Sequence, residues 1–440
     1  MLTPYPNYTP SGLPWAPQIP GGWQVQRNGR LFSHRVETGY PDLPILEVSL
    51  RTGVRVRDMV NGKRKQVMSA KEKYKRAVKG DIAYNMMRMW QGAVGPAPTD
   101  GLVSPAYVVV RPHAGVNTAY FSYLFRTAAY MQEVNKFSRG IVADRNRLYW
   151  ESFKQMPSLV PGVAEQDKIA AYLRAQDVHF ARLIKAKHAS IAFLAETRAV
   201  VADEAIKSDK TQLIRLDRVL RLVSTPIRRM ANESYTAIGL KNRGRGIFHK
   251  SLSLGRDLGD SIFFPVEQGD FVFSGQFAWE GAVAVAAEAD HGCIASHRYP
   301  IAKCNQDLVT AEYLYTYFLS GIGDLLLNHH SRGAAGRNRP LNSRTLLKEV
   351  IPIPPIDLQR EVSALYQEEQ KVKREIEDEL ALIRELRDRQ IADVVTGQID
   401  VRGWQPGPED LLTEEDLTAL GDDDNNDTTE EETNGDDGHD

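Results

Sequence analysis

The sequence predicts an α+β fold with an internal duplication, in which a mixed domain followed by a long helix occurs twice. The two long helices are expected to pair as an antiparallel coiled coil, and a disordered acidic tail is expected to follow them. Three observations predict this architecture: a repeat of about 193 residues, two proline-led helical segments, and a strongly acidic C-terminus. A chain of 440 residues is also long enough for two or three domains.

Matching residues recur in the same order along both halves of the chain. The sequence Ser138-Arg139-Gly140 returns as Ser331-Arg332-Gly333, which is 193 residues later. At the same offset Tyr120, Phe125, Leu148, Pro161 and Gln166 return as Tyr313, Phe318, Leu341, Pro354 and Gln359. Gly80-Asp81 returns as Gly269-Asp270 at an offset of 189. This spacing is far longer than the ~20–50-residue period of a solenoid, so it indicates a duplicated unit.

Each unit is expected to have two parts. The first part contains short β-like runs divided by glycine and proline, such as residues 106–110 (AYVVV) and 269–273 (GDFVF). The second part is a helix that begins after prolines and contains no glycine or proline over residues 164–207 and 357–396. At 1.5 Å per residue these helices would be ~66 and ~60 Å long.

The apolar residues of the two helices are spaced as in a helix-pairing seam. The steps between them average close to the 3.5 residues of a coiled coil. The seam residues are Ile169, Leu173, Phe180, Ile184, Ile191 and Leu194 in the first helix, and Val362, Leu365, Val372, Ile376, Leu380 and Ile383 in the second. Two amphipathic helices, each packed on its own domain, are the alternative, but such helices are usually shorter. A two-fold relation between the halves favours an antiparallel pair.

These features divide the chain into five segments. We expect mixed domains at residues 1–156 and 209–352, long helices at 157–208 and 353–400, and the acidic tail at 401–440. The tail combines acidic residues with Asn and Thr, a composition that cannot bury enough apolar surface to fold. We expect it to promote solubility, with competition against DNA for the basic domains as the alternative.

Composition restricts the class of protein and its location. Hydrophobic residues make up 42% of the chain and charged residues 25%, as in soluble globular proteins. No apolar run approaches the ~18 residues of a transmembrane helix, and the N-terminus does not resemble a signal peptide. Cys293 and Cys304 cannot build a disulfide framework or a thiolate zinc site, so the reducing cytoplasm is expected.

The net charge of −2 conceals two regions of opposite charge. Fifteen acidic residues and no Lys or Arg follow from Glu409 to the end. Residues 1–408 therefore hold 55 basic and 42 acidic residues, a net charge of +13. A basic body of this kind is compatible with a nucleic-acid partner, although charge alone leaves that interpretation open.

Several of these segments resemble the specificity subunit of type I restriction–modification systems. The resemblance is carried by residues 354–360 (PPIDLQR) before the second helix and 395–400 (VTGQID) after it, with a weaker first copy at 161–166 (PGVAEQ). Residues 78–85 (VKGDIAYN) and 101–107 (GLVSPAY) are similar to the family's target-recognition domain. The likeness spans roughly residues 1–400. The first copy has Gly162 where the second has Pro355, and the acidic tail lies outside the family pattern.

The resemblance implies a non-catalytic DNA-binding protein of a bacterial or archaeal cytoplasm. Residues 1–156 and 209–352 would be two target-recognition domains, each reading one half of a bipartite site in double-stranded DNA. The long helices would act as spacers and recruit the methyltransferase (modification) subunit, expected in two copies. An ATP-dependent restriction subunit, a translocase and endonuclease, would complete the complex. S-adenosylmethionine, Mg²⁺ and ATP would be used by those partners, and no cofactor or metal is expected in this chain, nor a membrane partner.

Catalytic motifs were sought because a self-contained DNA-modifying enzyme, either a methyltransferase or a nuclease, is one alternative. Residues 244–251 (GRGIFHKS) have His249 where a phosphate-binding loop needs glycine. A nuclease motif near Asp42 and Glu47 has Ser49 at the lysine position, and the only Pro-Pro pair, Pro354-Pro355, opens a helix. No glycine-rich S-adenosylmethionine turn is present. A coiled-coil structural adaptor is the second alternative.

The adjacent histidines His329 and His330 were considered as metal ligands. Side chains of neighbouring residues do not converge on one ion, so both are expected to be polar loop residues.

Candidate DNA contacts are the basic residues of four loops. The two arginine-rich loops recur in both halves, and guanidinium groups suit guanine edges as well as phosphates. Lys63-Arg64-Lys65 is better suited to phosphates, and residues 241–246 form a basic, glycine-containing loop that we expect to be flexible. A surface loop with internal salt bridges is the alternative for each of them. The candidates are Lys63, Arg64, Lys65, Arg139, Arg145, Arg147, Lys241, Arg243, Arg245, Arg332, Arg337 and Arg339.

Overall fold

The computed structural model describes residues 3–50, 53–57, 71–140, 146–333 and 339–410. It divides into two compact units. Unit 1 consists of residues 1–186 and 378–425, and unit 2 consists of residues 187–377 and 426–440. Two long helices, α5 (Val163–Ile206) and α10 (Ile356–Val395), each contribute one part to each unit.

Unit 1 is built on short strands and short helices. Its strands are β1 (Tyr8–Leu13), β2 (Ala16–Pro20), β3 (Gln24–Arg27), β4 (Phe32–Arg35), β5 (Leu46–Ser49), β6 (Gly53–Val56), β7 (Lys75–Ala77), β8 (Ile82–Asn85), β9 (Val94–Pro96), β10 (Gly101–Val103), β11 (Tyr107–Pro112) and β12 (Pro157–Val160). Its short helices are α1 (Asn28–Leu31), α2 (Thr118–Phe125), α3 (Ala128–Phe137) and α4 (Trp150–Phe153).

An antiparallel sheet of four strands in the order β4-β11-β8-β9 organises unit 1. The predicted strand at residues 106–110 is confirmed as β11. Fully buried aromatic side chains pack on this sheet, with Tyr84 of β8 against Phe153 and Phe32 of β4 against Phe121. Edge-to-face and tilted contacts of this kind stabilise a core beyond the area that they bury.

Unit 2 repeats this organisation with its own elements. Its strands are β13 (Gln212–Arg215), β14 (Leu220–Leu222), β15 (Ser234–Tyr235), β16 (Ile238–Leu240), β17 (Ile247–His249), β18 (Ser253–Leu254), β19 (Phe263–Pro265), β20 (Phe271–Phe273), β21 (Val283–Val285), β22 (Ile294–Ser296), β23 (Ile301–Cys304) and β24 (Val350–Ile353). Its short helices are α6 (Leu216–Val219), α7 (Ala311–Leu319), α8 (Gly321–His330) and α9 (Ser343–Leu346). The antiparallel sheet runs β14-β23-β20-β21, and β20 confirms the strand predicted at residues 269–273.

Within unit 1 the first part of α5 contacts the last part of α10. The side-chain amide of Gln390 donates to the Tyr172 hydroxyl at 2.6 Å, and Arg387 Nε donates to Asp177 Oδ1 at 2.7 Å. These two segments therefore run in opposite directions, because the residue numbers rise from Tyr172 to Asp177 along α5 while those of their partners fall from Gln390 to Arg387 along α10. The predicted seam residue Leu173 is buried here.

Within unit 2 the last part of α5 contacts the first part of α10 through a buried ion pair. Arg198 Nε donates to Glu369 Oε2 at 2.7 Å, and both side chains are under 10% exposed. The predicted seam residues Val362 and Ile376 are buried in this part of α10.

A buried glutamine anchors the start of each long helix. In unit 1, Gln166 accepts a hydrogen bond from the Asn117 backbone N–H and donates to the Pro161 carbonyl, both at 2.9 Å. In unit 2, Gln359 accepts from the Thr310 backbone N–H at 2.9 Å and donates to the Pro354 carbonyl at 2.7 Å. In each case the amide joins the proline carbonyl before the long helix to the backbone N–H of an N-cap residue, Asn117 of α2 or Thr310 of α7, which explains the Pro-to-Gln spacing of the resemblance.

The chain after α10 differs from the expectation of a disordered tail that begins at residue 401. Val401 is fully buried in the unit 1 core, and the Asp400 backbone N–H donates to the Thr3 carbonyl at 2.9 Å. The Trp404 ring packs edge-on against Tyr172, with ring centroids 5.4 Å apart. Apolar burial therefore orders the chain past the predicted boundary. Residues 411–440 lie outside the described part.

Candidate nucleic-acid interface

The candidate DNA contacts fall into three groups according to what the structure describes. Lys63, Arg64, Lys65, Arg145 and Arg337 lie outside the described residues. Arg139 and Arg147 belong to unit 1, and Lys241, Arg243, Arg245, Arg332 and Arg339 belong to unit 2.

Arg139 and Arg147 close the base of the arginine-rich loop of unit 1. Each backbone N–H donates to the carbonyl of the other residue at 3.0 Å, which makes an isolated antiparallel bridge. Residues that exchange both bonds stand directly opposite each other, with Cα atoms ~5.5 Å apart and side chains on one face. Both arginines are exposed, whereas the following Leu148 is buried and its N–H donates to the Met86 carbonyl at 2.9 Å. The core thus fixes the position of the pair.

This arginine pair is electrostatically unfavourable by itself. Like charges directly opposite in a bridge are destabilising. Within the part of the chain that the structure describes, neither Arg139 nor Arg147 has an ion-pair or side-chain hydrogen-bond partner. Two guanidinium groups on one face of a fixed backbone bridge can bind a phosphate or two adjacent acceptors of a base edge.

The corresponding loop of unit 2 closes in a similar way with different side-chain contacts. Ser331 and Leu341 form the bridge, and Leu341 N–H donates to the Gly275 carbonyl at 2.8 Å. The Arg339 guanidinium lies over the Trp279 ring at 4.8 Å, while Arg332 is exposed and donates to the His329 carbonyl at 3.1 Å. A cation–π contact holds Arg339 in place without neutralising its charge.

The basic loop of residues 241–246 is held in place, contrary to the prediction of a flexible loop. It connects β16 and β17, and the backbone N–H groups of Arg243 and Gly244 donate to the carbonyls of Glu280 and Gly281 at 2.9 and 2.8 Å. The Tyr315 hydroxyl donates to the Gly244 carbonyl at 2.6 Å. Gly244 has φ +64°, and a Cβ there would lie 2.4 Å from Leu319 Cδ1, so only glycine fits.

A lysine of α10 adds to the charge of this loop. Lys373 Nζ donates to the Arg245 carbonyl at 3.3 Å. Burial, together with the nearby Lys241 and Arg245, lowers the pKa of the Lys373 ammonium. The sequence did not identify Lys373, because its position in a helix gives no indication of a loop packed against it.

A side-chain cluster in unit 2 was examined as a possible catalytic site. His249 Nε2 lies 2.7 Å from Asp290 Oδ1 and 3.8 Å from Cys293 Sγ. A catalytic relay would need the carboxylate and the thiol to contact different nitrogens of the His249 ring, whereas here both lie nearest to Nε2. Burial also raises the pKa of the Cys293 thiol, which keeps it protonated. This cluster is therefore not arranged for nucleophilic catalysis.

The two adjacent histidines were wrongly predicted to lie in a loop. They end helix α8, and His330 is buried, with Nδ1 2.8 Å from Thr345 Oγ1 and Nε2 2.9 Å from Glu349 Oε1. Across the described ranges, no group of three or more His, Cys, Asp or Glu side chains could hold a metal ion. Likewise, none of the helices in those ranges is long and apolar enough to cross a bilayer.

The sequence matches no family model and no curated protein. Solved structures are similar in fold. One chain, from a study of complex assembly and conformational transition of the type I R-M system, aligns with a TM-score of 0.52 at 15% identity, covering 86% of this chain and 98% of that one. The HsdS subunit of Thermoanaerobacter tengcongensis aligns at 16% identity and a TM-score of 0.38, over 86% and 98% of the two chains. The type I S subunit of M. genitalium aligns at 13% identity and a TM-score of 0.35, over 86% of this chain and 96% of that one.

The fold is thus one found in a type I restriction–modification complex. This conclusion depends on the first alignment, since the other two scores fall below 0.5. The resemblance noted in the sequence is confirmed at the level of the fold.

Proposed function

We propose that this chain is the DNA-recognition (specificity) subunit of a type I restriction–modification complex. The observation that carries the proposal is the fold shared with a chain of such a complex over 86% of this sequence. Arg139 and Arg147, exposed on a fixed bridge and without an ion-pair partner among the described residues, add a surface suited to DNA. Units 1 and 2 would each read one half of a bipartite target through base edges and phosphates.

We infer that the two units arose by duplication and that the long helices pair along their length as an antiparallel coiled coil. The same strand order in both sheets and the same glutamine anchor at both helix starts support the duplication. The contacts Asp177–Arg387 in unit 1 and Arg198–Glu369 in unit 2 support the pairing. In this arrangement the target-recognition domains are residues 1–156 and 209–352, and the helices are rigid spacers between them.

The helices also carry exposed apolar side chains suited to a partner. In unit 1, Leu382 and Leu386 of α10 are 65% and 58% exposed, one helical turn apart. A partner helix could cover them, because exposed apolar stripes commonly mark interaction surfaces. We propose that two copies of the modification subunit bind the helices and a restriction subunit joins the complex. S-adenosylmethionine, Mg²⁺ and ATP would be used by these partners in the cytoplasm.

The proposal is tested with the full chain co-expressed with its modification subunit. The complex should methylate DNA at one bipartite sequence, and the chain alone should transfer no methyl group. The variant R139A/R147A should lower affinity for duplex DNA and, if both arginines contact phosphates, reduce the slope of log affinity against log salt by ~1.8. Lys136→Ala is the matched control, because this lysine of unit 1 is paired at 2.8 Å with Glu133, whose side chain is only 13% exposed and stays beside it.

Two results would contradict the proposal. Methylation or cleavage by the chain alone would establish a self-contained DNA-modifying enzyme. Equal binding of target and unrelated DNA by the assembled complex would favour a structural adaptor.

A further inference from the structure

Unit 1 contains a cationic cleft that the candidate DNA contacts do not include. Its volume is about 460 Å³, and it lies where β3, α1 and the end of α4 meet. Arg27, Arg30 and Lys154 line it together with the amides of Gln26 and Gln155, and none of the lining residues is acidic. We call this feature the Arg30 cleft.

Backbone hydrogen bonds fix the walls of the Arg30 cleft. Arg27 stands opposite Pro157 at the end of the β3–β12 pair. Beyond it, the Asn28 N–H donates to the Met156 carbonyl and the Gly29 N–H donates to the Lys154 carbonyl, both at 2.9 Å. A Cβ at residue 29 would lie 3.1 Å from that carbonyl oxygen, so the two segments approach closely. The cations are therefore positioned by main chain that is already ordered.

The charges of the Arg30 cleft are only partly neutralised. Arg27 Nη1 donates to the neutral Gln155 amide at 2.8 Å. Lys154 pairs with Glu151, whose side chain is 73% exposed and lies outside the cleft lining. In the described part of the chain the exposed Arg30 guanidinium has no side-chain partner. Three cations converging on one concave surface create a positive potential that favours a bound anion.

Unit 2 has the same backbone arrangement with different charges. Its segments meet through Leu216 N–H to the Glu349 carbonyl at 2.9 Å and Asp217 N–H to the Leu347 carbonyl at 2.8 Å. Arg215 and Arg218 occupy the places of Arg27 and Arg30.

Three substitutions that change charge distinguish the units. Asp217 stands where unit 1 has Gly29 and accepts a hydrogen bond from Arg215, and Leu347 stands where unit 1 has Lys154. Lys348 stands where unit 1 has Gln155, so the charge over the lining positions is +3 in unit 1 and +2 in unit 2. Asp217 partly neutralises Arg215 in unit 2, whereas the lining of the Arg30 cleft holds only cations and neutral side chains, which favours an anion there.

We infer that the Arg30 cleft binds a phosphate of the DNA backbone, next to the half-site that unit 1 contacts. This inference depends on the proposed function and deepens it. Arg30 can bind a phosphate bidentately, Lys154 adds a point charge, and the Gln26 and Gln155 amides are hydrogen-bond donors. The volume also admits the adjoining sugar.

The cleft lies within reach of the Arg139–Arg147 bridge along one duplex. Arg147 and Lys154 are seven residues apart, and four of the residues between them form α4. At ~1.5 Å per helical residue and ~3.5 Å per extended residue, their Cα atoms are at most ~17 Å apart. Since DNA rises ~3.4 Å per base on each strand, that distance corresponds to about five base pairs or fewer.

The test compares two arginines at equivalent positions in the full-length chain. Affinity for a mixed-sequence duplex is measured between roughly 50 and 200 mM salt for Arg30→Ala, Lys154→Leu and Arg218→Ala. Lys154→Leu introduces the unit 2 residue. We expect the first two variants to weaken binding to target and unrelated duplexes equally. Because the two cations share one phosphate, each variant should reduce the salt slope by at most ~0.9, and Arg30→Ala, which removes the bidentate contact, should reduce it more. Arg218→Ala should match the parent chain, and circular dichroism should show that all three are folded.

Four outcomes would overturn the inference. An unchanged salt slope in both Arg30→Ala and Lys154→Leu would show that the cleft does not bind a phosphate. The proposed function would survive this result if R139A/R147A still lost affinity for DNA. An equal loss in Arg218→Ala would remove the distinction between the units. A loss confined to the target sequence would identify a base contact in place of a phosphate contact. Calorimetric binding of ATP that disappears in Arg30→Ala, with DNA binding intact, would assign the cleft to a free nucleotide.

Discussion

Replacing Arg198 with methionine should destabilise unit 2 by about 3–5 kcal/mol. Arg198 and Glu369 are 5% and 7% exposed, and the guanidinium also donates to Thr316 Oγ1. It lies over the rings of Tyr315 and Tyr366 at 5.1 and 5.8 Å. Removing the arginine leaves a carboxylate that water cannot reach. The unfolded fraction of unit 2 should therefore rise by a factor of roughly 10² to 4 × 10³, since 1.4 kcal/mol is tenfold.

The assay follows unit 2 alone, because both cysteines of the chain, Cys293 and Cys304, belong to it. Cys293 is buried in the folded state, so its rate of alkylation in dilute denaturant measures the opening of this unit. Unfolding of the whole chain need not be two-state with two compact units present, so a probe confined to one unit is the appropriate measurement.

Two variants separate the buried charge from simple loss of contacts. The double variant R198M/E369L should recover most of the stability, because a buried ion pair replaced by apolar residues is often neutral or better. Lys207→Ala, which removes an exposed ion pair with Glu204 at the end of the same helix, should leave the alkylation rate unchanged. If R198M unfolds no more readily than Lys207→Ala, or if the double variant is as unstable as R198M, the argument from desolvation is wrong.

Two further predictions concern unit 2. Gln359→Glu should destabilise it by ~1–3 kcal/mol, because a carboxylate would face the Pro354 and Leu308 carbonyls at 2.7 and 2.9 Å. Denaturant unfolding of unit 2 measures this loss, with Gln268→Glu at an exposed position of the same unit as the control. Equal stabilities of the two variants would contradict the prediction. Burial, with nearby Glu312 and Asp270, raises the pKa of Cys304 from 9.0 to about 12. The stability that unit 2 gains from the neutral thiol is therefore present below about pH 9 and lost as the pH rises towards 12. Unit 2 should open more readily in that range, and Cys304→Ala should weaken this dependence of its stability on pH.

The sequence predicted the parts of the fold that depend on local pattern. The absence of glycine and proline predicted both long helices, which the structure places at Val163–Ile206 and Ile356–Val395. The Pro-to-Gln spacing marked both helix starts, and the hydrogen bonds of Gln166 and Gln359 show the cause. In these places the residues that determine the structure lie close together in the chain.

The parts that the sequence missed depend on contacts between distant residues. The loop at 241–246 contains glycines that suggest flexibility, yet Glu280 and Tyr315 hold it from other elements. The cations of the Arg30 cleft come from segments more than 120 residues apart, Arg30 and Lys154, so no local pattern identifies them. His330 was placed in a loop because its partners Thr345 and Glu349 follow in a later segment.

The composition of unit 1 has a consequence for the order in which the chain folds during synthesis. Its core includes Tyr5 and Phe32 near the start of the chain, and also Val394, Val395 and Val401 near the end. Unit 2 is encoded between them, so its described residues are complete once residue 377 has left the ribosome. About 215 residues separate position 186 from Val401, which takes ~10–40 s at ~5–20 residues per second. The first domain to be translated is therefore the last to be completed, because its core lacks Val394, Val395 and Val401 during that interval.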